Sequence, residues 1–98
     1  MADFADALVQ GETILWSDRP HGWRRALSRE KYAITDARRV LVARGARVQA
    51  FPLPAPDAIA TDADARDEHG DVRVGDLVLR AVSYPLIAVE TIRSLARR

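Results

Sequence analysis

Residues 85–98, PLIAVETIRSLARR, are the one long stretch of this chain with a helical period. On a helical wheel Ala88, Val89, Ile92, Leu95 and Ala96 fall on one side. Glu90, Thr91, Arg93, Ser94, Arg97 and Arg98 fall on the other. Pro85 suits a first helical position, and basic residues suit a last turn, where the helix dipole favours positive charge. An amphipathic helix must bury its apolar side against another layer. No second long helix exists to receive it, so it must lie on a sheet or across a barrel mouth.

The preceding residues supply the sheet. TILWS, 13–17, is β-branched and aromatic and predicts a strand. DRPHGW, 18–23, breaks it at Pro20 and Gly22, and RRALSRE reads as either a helical turn or a loop. Lys31–Thr35 alternates, with Tyr32 and Ile34 on one face. TDAR, 35–38, is a tight turn in which Asp36 is expected to bond the backbone two residues on. RVLVA, 39–43, is a second β run. RGAR, 44–47, puts Gly45 where a hairpin needs positive φ, and Val48–Leu53 returns as its partner. Pro52 marks an edge or a last ladder position. Ala58–Thr61 reads as a weak strand and His69-Gly70-Asp71 as a turn. DVRV, 71–74, and DLVLRAV, 76–82, form a further hairpin across Gly75-Asp76. Leu77, Leu79 and Ala81 are expected to oppose Val78, Arg80 and Val82. Residues 3–10 predict a short N-terminal helix capped by Asp3, with Phe4 and Leu8 on one face and Gly11 at its end. The fold class that satisfies every apolar face is mainly β (α+β): a partly open antiparallel barrel, or two orthogonal sheets, of six to seven strands, plugged by the last helix. At 98 residues it forms a single domain over 1–98.

GETILWSDRP, then YAITDARRVLV, a glycine hairpin, FPL, a second glycine turn and a proline-opened final helix occur here in one order. That order resembles the bacterial pleckstrin-homology (PH) domain family over nearly the whole chain. The matching positions are Gly11, Glu12, Ile14 and Leu15; Tyr32, Ile34, Thr35, Asp36 and Arg38 or Arg39; and Phe51, Pro52 and Leu53. Two positions depart from the pattern. Tyr84-Pro85 stands where relatives often carry Asp-Pro, and HGWRRALSREK stands where many carry a transmembrane hairpin. The resemblance implies a PH-like split barrel capped by a helix, and oligomerisation in some members. Phosphoinositide binding does not follow, because the basic-loop motif of eukaryotic PH domains has no counterpart here.

Charge bears on function. From Arg19 to Arg47 nine Lys or Arg face two acids, a net of +7; from Asp57 to Asp76 seven acids face two Arg, a net of −5. Such a division either produces a surface field or is scattered by strand alternation. The chain has no cysteine, which excludes disulfides and Cys-based metal or redox chemistry. Its N-terminus has no signal-peptide pattern and its apolar runs are too short to span a bilayer. The expected location is the cytoplasm, with the inner face of the membrane as the alternative.

Enzymatic readings find little. His21 and His69 sit beside glycines and read as solvated loop histidines. Ser17, Ser28, Ser83 and Ser94 lack a nucleophile-elbow setting, and no phosphate-binding glycine motif is present. Asp62 and Asp64 have calcium-loop spacing, but Arg66 and Asp67 occupy the next ligand and glycine positions. No catalytic residue, metal site or cofactor is expected. The candidate lipid- or partner-binding residues are Arg19, Trp23, Arg24, Arg25, Arg29 and Lys31, since arginine beside tryptophan suits phosphate head groups at an interface. A solvated basic loop is the simpler reading of the same residues. The expected role is a non-catalytic protein-interaction or oligomerisation module, binding a protein partner or itself. The alternative is a peripheral module on anionic lipid head groups through 19–31. Nucleic acid is disfavoured, for want of a stacking platform or recognition helix.

Overall fold

The computed structural model describes residues 4–22 and 29–98. The first four strands are β1 (Ile14–Asp18), β2 (Glu30–Thr35), β3 (Arg39–Arg44) and β4 (Arg47–Pro52). They form an antiparallel meander in the order β1-β2-β3-β4. β5 (Ile59–Thr61), β6 (His69–Val74) and β7 (Leu77–Ser83) form a second antiparallel sheet, and α1 (Pro85–Ala96) follows. Neither sheet is closed.

Local chemistry explains most of these boundaries. Gly45 and Gly75 take φ of +60° and +62° at the β3–β4 and β6–β7 turns, a conformation that costs a side-chain-bearing residue energy. Pro52 occupies the last ladder position of β4, opposite Arg39, on the edge of its sheet. Pro85 opens α1 as its spacing predicts. Ala88, Val89, Ile92 and Ala96 are buried, while Leu95 is only partly covered.

α1 lies against β5, β6, β7 and a short 3-10 turn at Pro56–Ala58. Its apolar side completes one core with Tyr32, Ile34, Val40 and Val42 of the first sheet and Val72, Val74, Leu79 and Val82 of the second. A smaller cluster covers the opposite face of the first sheet, where Phe4 packs on Ala33, Leu41 and Ala43. The small side chains of Ala33 and Ala43 leave the space that the phenyl ring fills.

Several local expectations are corrected. The N-terminal element is a 3-10 turn, Phe4–Ala7, rather than a helix over 3–10; Asp3 lies outside the described residues, as does most of RRALSRE. Asp36 does not bond the backbone two residues on. Thr35 does so, its hydroxyl accepting from the Ala37 N–H at 3.3 Å, while the Asp36 carboxylate accepts from the Thr13 N–H at 2.8 Å. His69-Gly70-Asp71 is the start of β6 and not a turn. Glycine fits closely there: a Cβ would meet Pro85 Cγ at 3.0 Å and Ala63 Cβ at 3.2 Å, so those neighbours would have to give way. The alternation of β7 fails at Arg80–Ala81, where the register slips against Gly70 and Val72, so Ala81 and Val82 are both buried.

That slip is the joint between the two sheets. It frees backbone groups from the β6–β7 ladder, and each named here finds a partner. The Arg80 N–H donates to the Tyr32 hydroxyl at 3.0 Å, and the Ala81 N–H to Asp71 Oδ1 at 2.9 Å. The Ala81 carbonyl accepts from the His21 N–H at 2.9 Å. Two residues on, Ser83 donates its N–H to Asp18 Oδ2 at 2.8 Å. The second sheet therefore hangs on the first through β2 and the end of β1.

Trp16, the aromatic of the first strand, is only partly buried. It lies opposite Ile34 and packs on the core, but β1 is an edge strand and solvent reaches the indole from the unpaired side. Trp16→Ala should therefore cost about 2–3 kcal/mol, below the range for a fully enclosed Trp. Urea denaturation of the variant checks this, and a cost under about 0.5 kcal/mol, the usual range for surface substitutions, would mean that the indole adds nothing to the core.

Candidate functional site

Two polar clusters stand out among the described residues, and each fastens separate elements together. The first centres on Glu12, whose side chain is 1% exposed. Its Oε2 accepts from Arg39 Nε at 2.9 Å and from the Thr35 hydroxyl at 2.5 Å. Its Oε1 accepts from the Val9 N–H at 3.0 Å and from Arg39 Nη2. Arg39 Nη2 also donates to the Ala7 carbonyl at 2.8 Å. The paired guanidinium and the Thr35 hydroxyl hold the Glu12 carboxyl down at about 2, against an ordinary value of 4.5. The same pairing raises Arg39. A carboxylate held ionised and with its lone pairs occupied is a poor proton donor or acceptor at neutral pH. Glu12, Thr35, Asp36 and Arg39 thus tie the N-terminal turn to the β2–β3 corner.

The second cluster is the joint between the sheets. Burial pushes the Tyr32 phenol up to about 12 from 10.0, and its oxygen is fully enclosed against the Arg80 backbone. Arg38, the other arginine of the motif, holds the end of α1: its guanidinium donates to the Ala96 carbonyl at 3.0 Å and to that of Arg98. Among the described residues no buried side-chain nitrogen or oxygen lacks a partner, and no cluster of three metal-ligating residues occurs.

The sequence-predicted binding residues are only partly brought together. Trp23, Arg24 and Arg25 lie outside the described residues. Arg19 and Arg29 are exposed, with Arg29 at a φ of +56°. Lys31 is half-buried on β2, beside Asp18, Arg19 and Phe4. The histidines are not both solvated loop residues. His21 is half-buried, with Nε2 2.9 Å from Asp18 Oδ1, and its ring stacks on that of His69 at 4.9 Å between centroids. The acidic run is also less free than its composition suggests: Asp62 pairs with Arg73 at 3.0 Å, and Asp71 is committed to Ala81.

Sequence reasoning passed over one surface. Tyr84 is 52% exposed and Ile87 is 64% exposed, three residues apart at the start of α1. Thr91, Ser94, Leu95 and Arg98 continue that side of the helix and face Leu15 of β1 across a shallow groove. Tyr84 is the N-terminal cap of α1, with φ +45° and ψ +66° and no side-chain capping bond. An aromatic residue in the left-handed region costs about 1–2 kcal/mol. Asn, Asp or Gly would sit there with less strain. The one signal in the sequence was the departure from Asp-Pro at residues 84–85. No helix among the described residues is long and apolar enough to cross a membrane. No family model, curated protein or solved structure matches the chain.

Proposed function

We propose that this chain is a non-catalytic protein-interaction or self-association module with a PH-like split-barrel fold, and that it meets its partner through Tyr84 and Ile87. Two antiparallel sheets under one C-terminal helix, with the motif residues serving as internal fasteners, support the fold reading. The observation that carries the functional reading is Tyr84. A strained, half-exposed aromatic stands where a small polar residue would stabilise the helix, beside a still more exposed isoleucine. Local strain retained against stability marks functional positions, and tyrosine is a preferred anchor at protein interfaces.

Tyr84→Asn separates folding from binding. The variant should be more stable than wild type by about 1 kcal/mol, because asparagine tolerates the left-handed conformation and adds a capping oxygen. The same change, alone or with Ile87→Ser, should abolish association measured by light scattering and partner capture. A wild-type chain that stays at its monomer mass of 10.9 kDa and captures no partner would end the reading. The competing reading, an anionic lipid surface, rests on exposed Arg19 and Arg29. Sedimentation with anionic vesicles at low salt, lost in Arg19→Glu with Arg29→Glu but kept in Tyr84→Asn, would favour it instead.

A further inference from the structure

We infer that His21 and His69 form a proton-operated latch on the joint between the two sheets. The two imidazoles lie face to face, with centroids 4.9 Å apart and planes 14° from parallel. One belongs to the segment leaving β1 and the other is the first residue of β6, so the stack bridges the sheets. It lies where the backbone bridge is made: the His21 N–H bonds the Ala81 carbonyl at 2.9 Å, and His69 is registered with Ser83, whose N–H bonds Asp18.

Neutral imidazoles stack favourably; two imidazolium rings at that distance repel. The charged and titratable groups on the described elements that meet here are Asp18 and Arg19 beside His21, Lys31 on β2, Glu68, His69 and Asp71 on the β6 side, with Asp62, Asp67 and Arg73 lining the hollow beside His69, and Arg80 on β7. Asp18 Oδ1, 2.9 Å from His21 Nε2, offsets charge on that ring. On the other side the carboxylates near His69 are engaged elsewhere: Asp62 pairs with Arg73, Asp67 accepts from the Asp64 N–H, and Asp71 is turned to the Ala81 N–H. The proton on His69 is therefore the one that works against the stack.

The element biased by that proton is the slipped stretch of β7. Ala81 is held at φ +49°, a left-handed conformation disfavoured for alanine, by donating its N–H to Asp71 and accepting at its carbonyl from the His21 N–H. When the rings separate, His21 leaves the Ala81 carbonyl and the strained residue is released. Two unit charges 4.9 Å apart shift such an equilibrium by a factor of about four in water-like surroundings, and by more where solvent is excluded.

Amide hydrogen exchange tests the latch. Protection of the His21 N–H, corrected for the intrinsic pH dependence of exchange, should fall at least about fourfold between pH 7.5 and pH 5. Amides in the middle of β3 should hold theirs. His69→Phe keeps a planar ring and removes its charge, so the variant should retain His21 protection down to pH 5. His69→Ala should weaken protection at every pH. Constant protection in the wild type, or an equal loss in His69→Phe, would overturn the proposal. The β3 amides of each variant report whether it is folded.

Discussion

Ile92→Asp is expected to unfold the protein at neutral pH. Ile92 is fully buried in α1, in one core with Ile34 and Val40 of the first sheet and Val72 and Leu79 of the second. An ionised carboxylate there has no partner, and the cost of burying an unpaired charge exceeds the stability of a typical small domain. Ile92→Ala keeps the test quantitative. It should remain folded and cost about 2–5 kcal/mol by chemical denaturation, the range for deleting a large buried aliphatic group. The neighbouring exposed change Glu90→Ala should be nearly neutral. If Ile92→Ala cost under about 1 kcal/mol, the helix would not be closing the two sheets together.

The second large effect is expected at Arg39. Removing its guanidinium leaves the Glu12 carboxylate shut from solvent with only the Thr35 hydroxyl and the Val9 N–H for company. Arg39→Ala should lower the denaturation midpoint at pH 7 about as far as a core truncation does, whereas Arg47→Ala, at the exposed start of β4, should barely move it. Acidity gives an independent readout. The folded-state value of Glu12, about 2, lies below its ordinary 4.5, so the native state favours the ionised form. That contribution is complete above pH 4.5, and it is lost progressively as pH falls from there toward 2. In Glu12→Gln with Arg39→Met the loss of stability over that interval should shrink. An unchanged acid limb would assign it to other carboxylates.

These two positions also show what the sequence reveals and what it withholds. The buried side of α1 was readable because helical spacing is local, and Gly45, Gly75 and Pro52 because each turn or edge asks for that residue type. Glu12, Thr35 and Arg39 were visible only as motif letters. Their meaning depends on contacts up to 32 residues apart, which no local period encodes. Asp36 illustrates the same limit: its expected short-range bond loses to a partner 23 residues away. His69-Gly70 looked like a turn because glycine permits one, but Gly70 lies in a strand where Pro85 packs closely against it. The slip in β7 was hidden because valine and alanine continue the apolar pattern through it. For the candidate surface, composition pointed to the basic segment, where charge is dense. Tyr84 gives no compositional signal, and its peculiarity is a backbone angle.

The joint carries a consequence for how quickly the native state is made and lost. Both sheets are built from neighbouring hairpins, so each can assemble from contacts close in the chain. The bonds that fasten one to the other span 48 residues from Tyr32 to Arg80 and 65 from Asp18 to Ser83. Closing such long loops is entropically slow, so these contacts form late, after the hairpins have zipped. Interactions absent from the transition state act chiefly on the rate of escape from the native basin. Weakening the Tyr32 or Asp18 bond should therefore speed unfolding more than it slows folding, whereas changes in the turns should act on the folding rate.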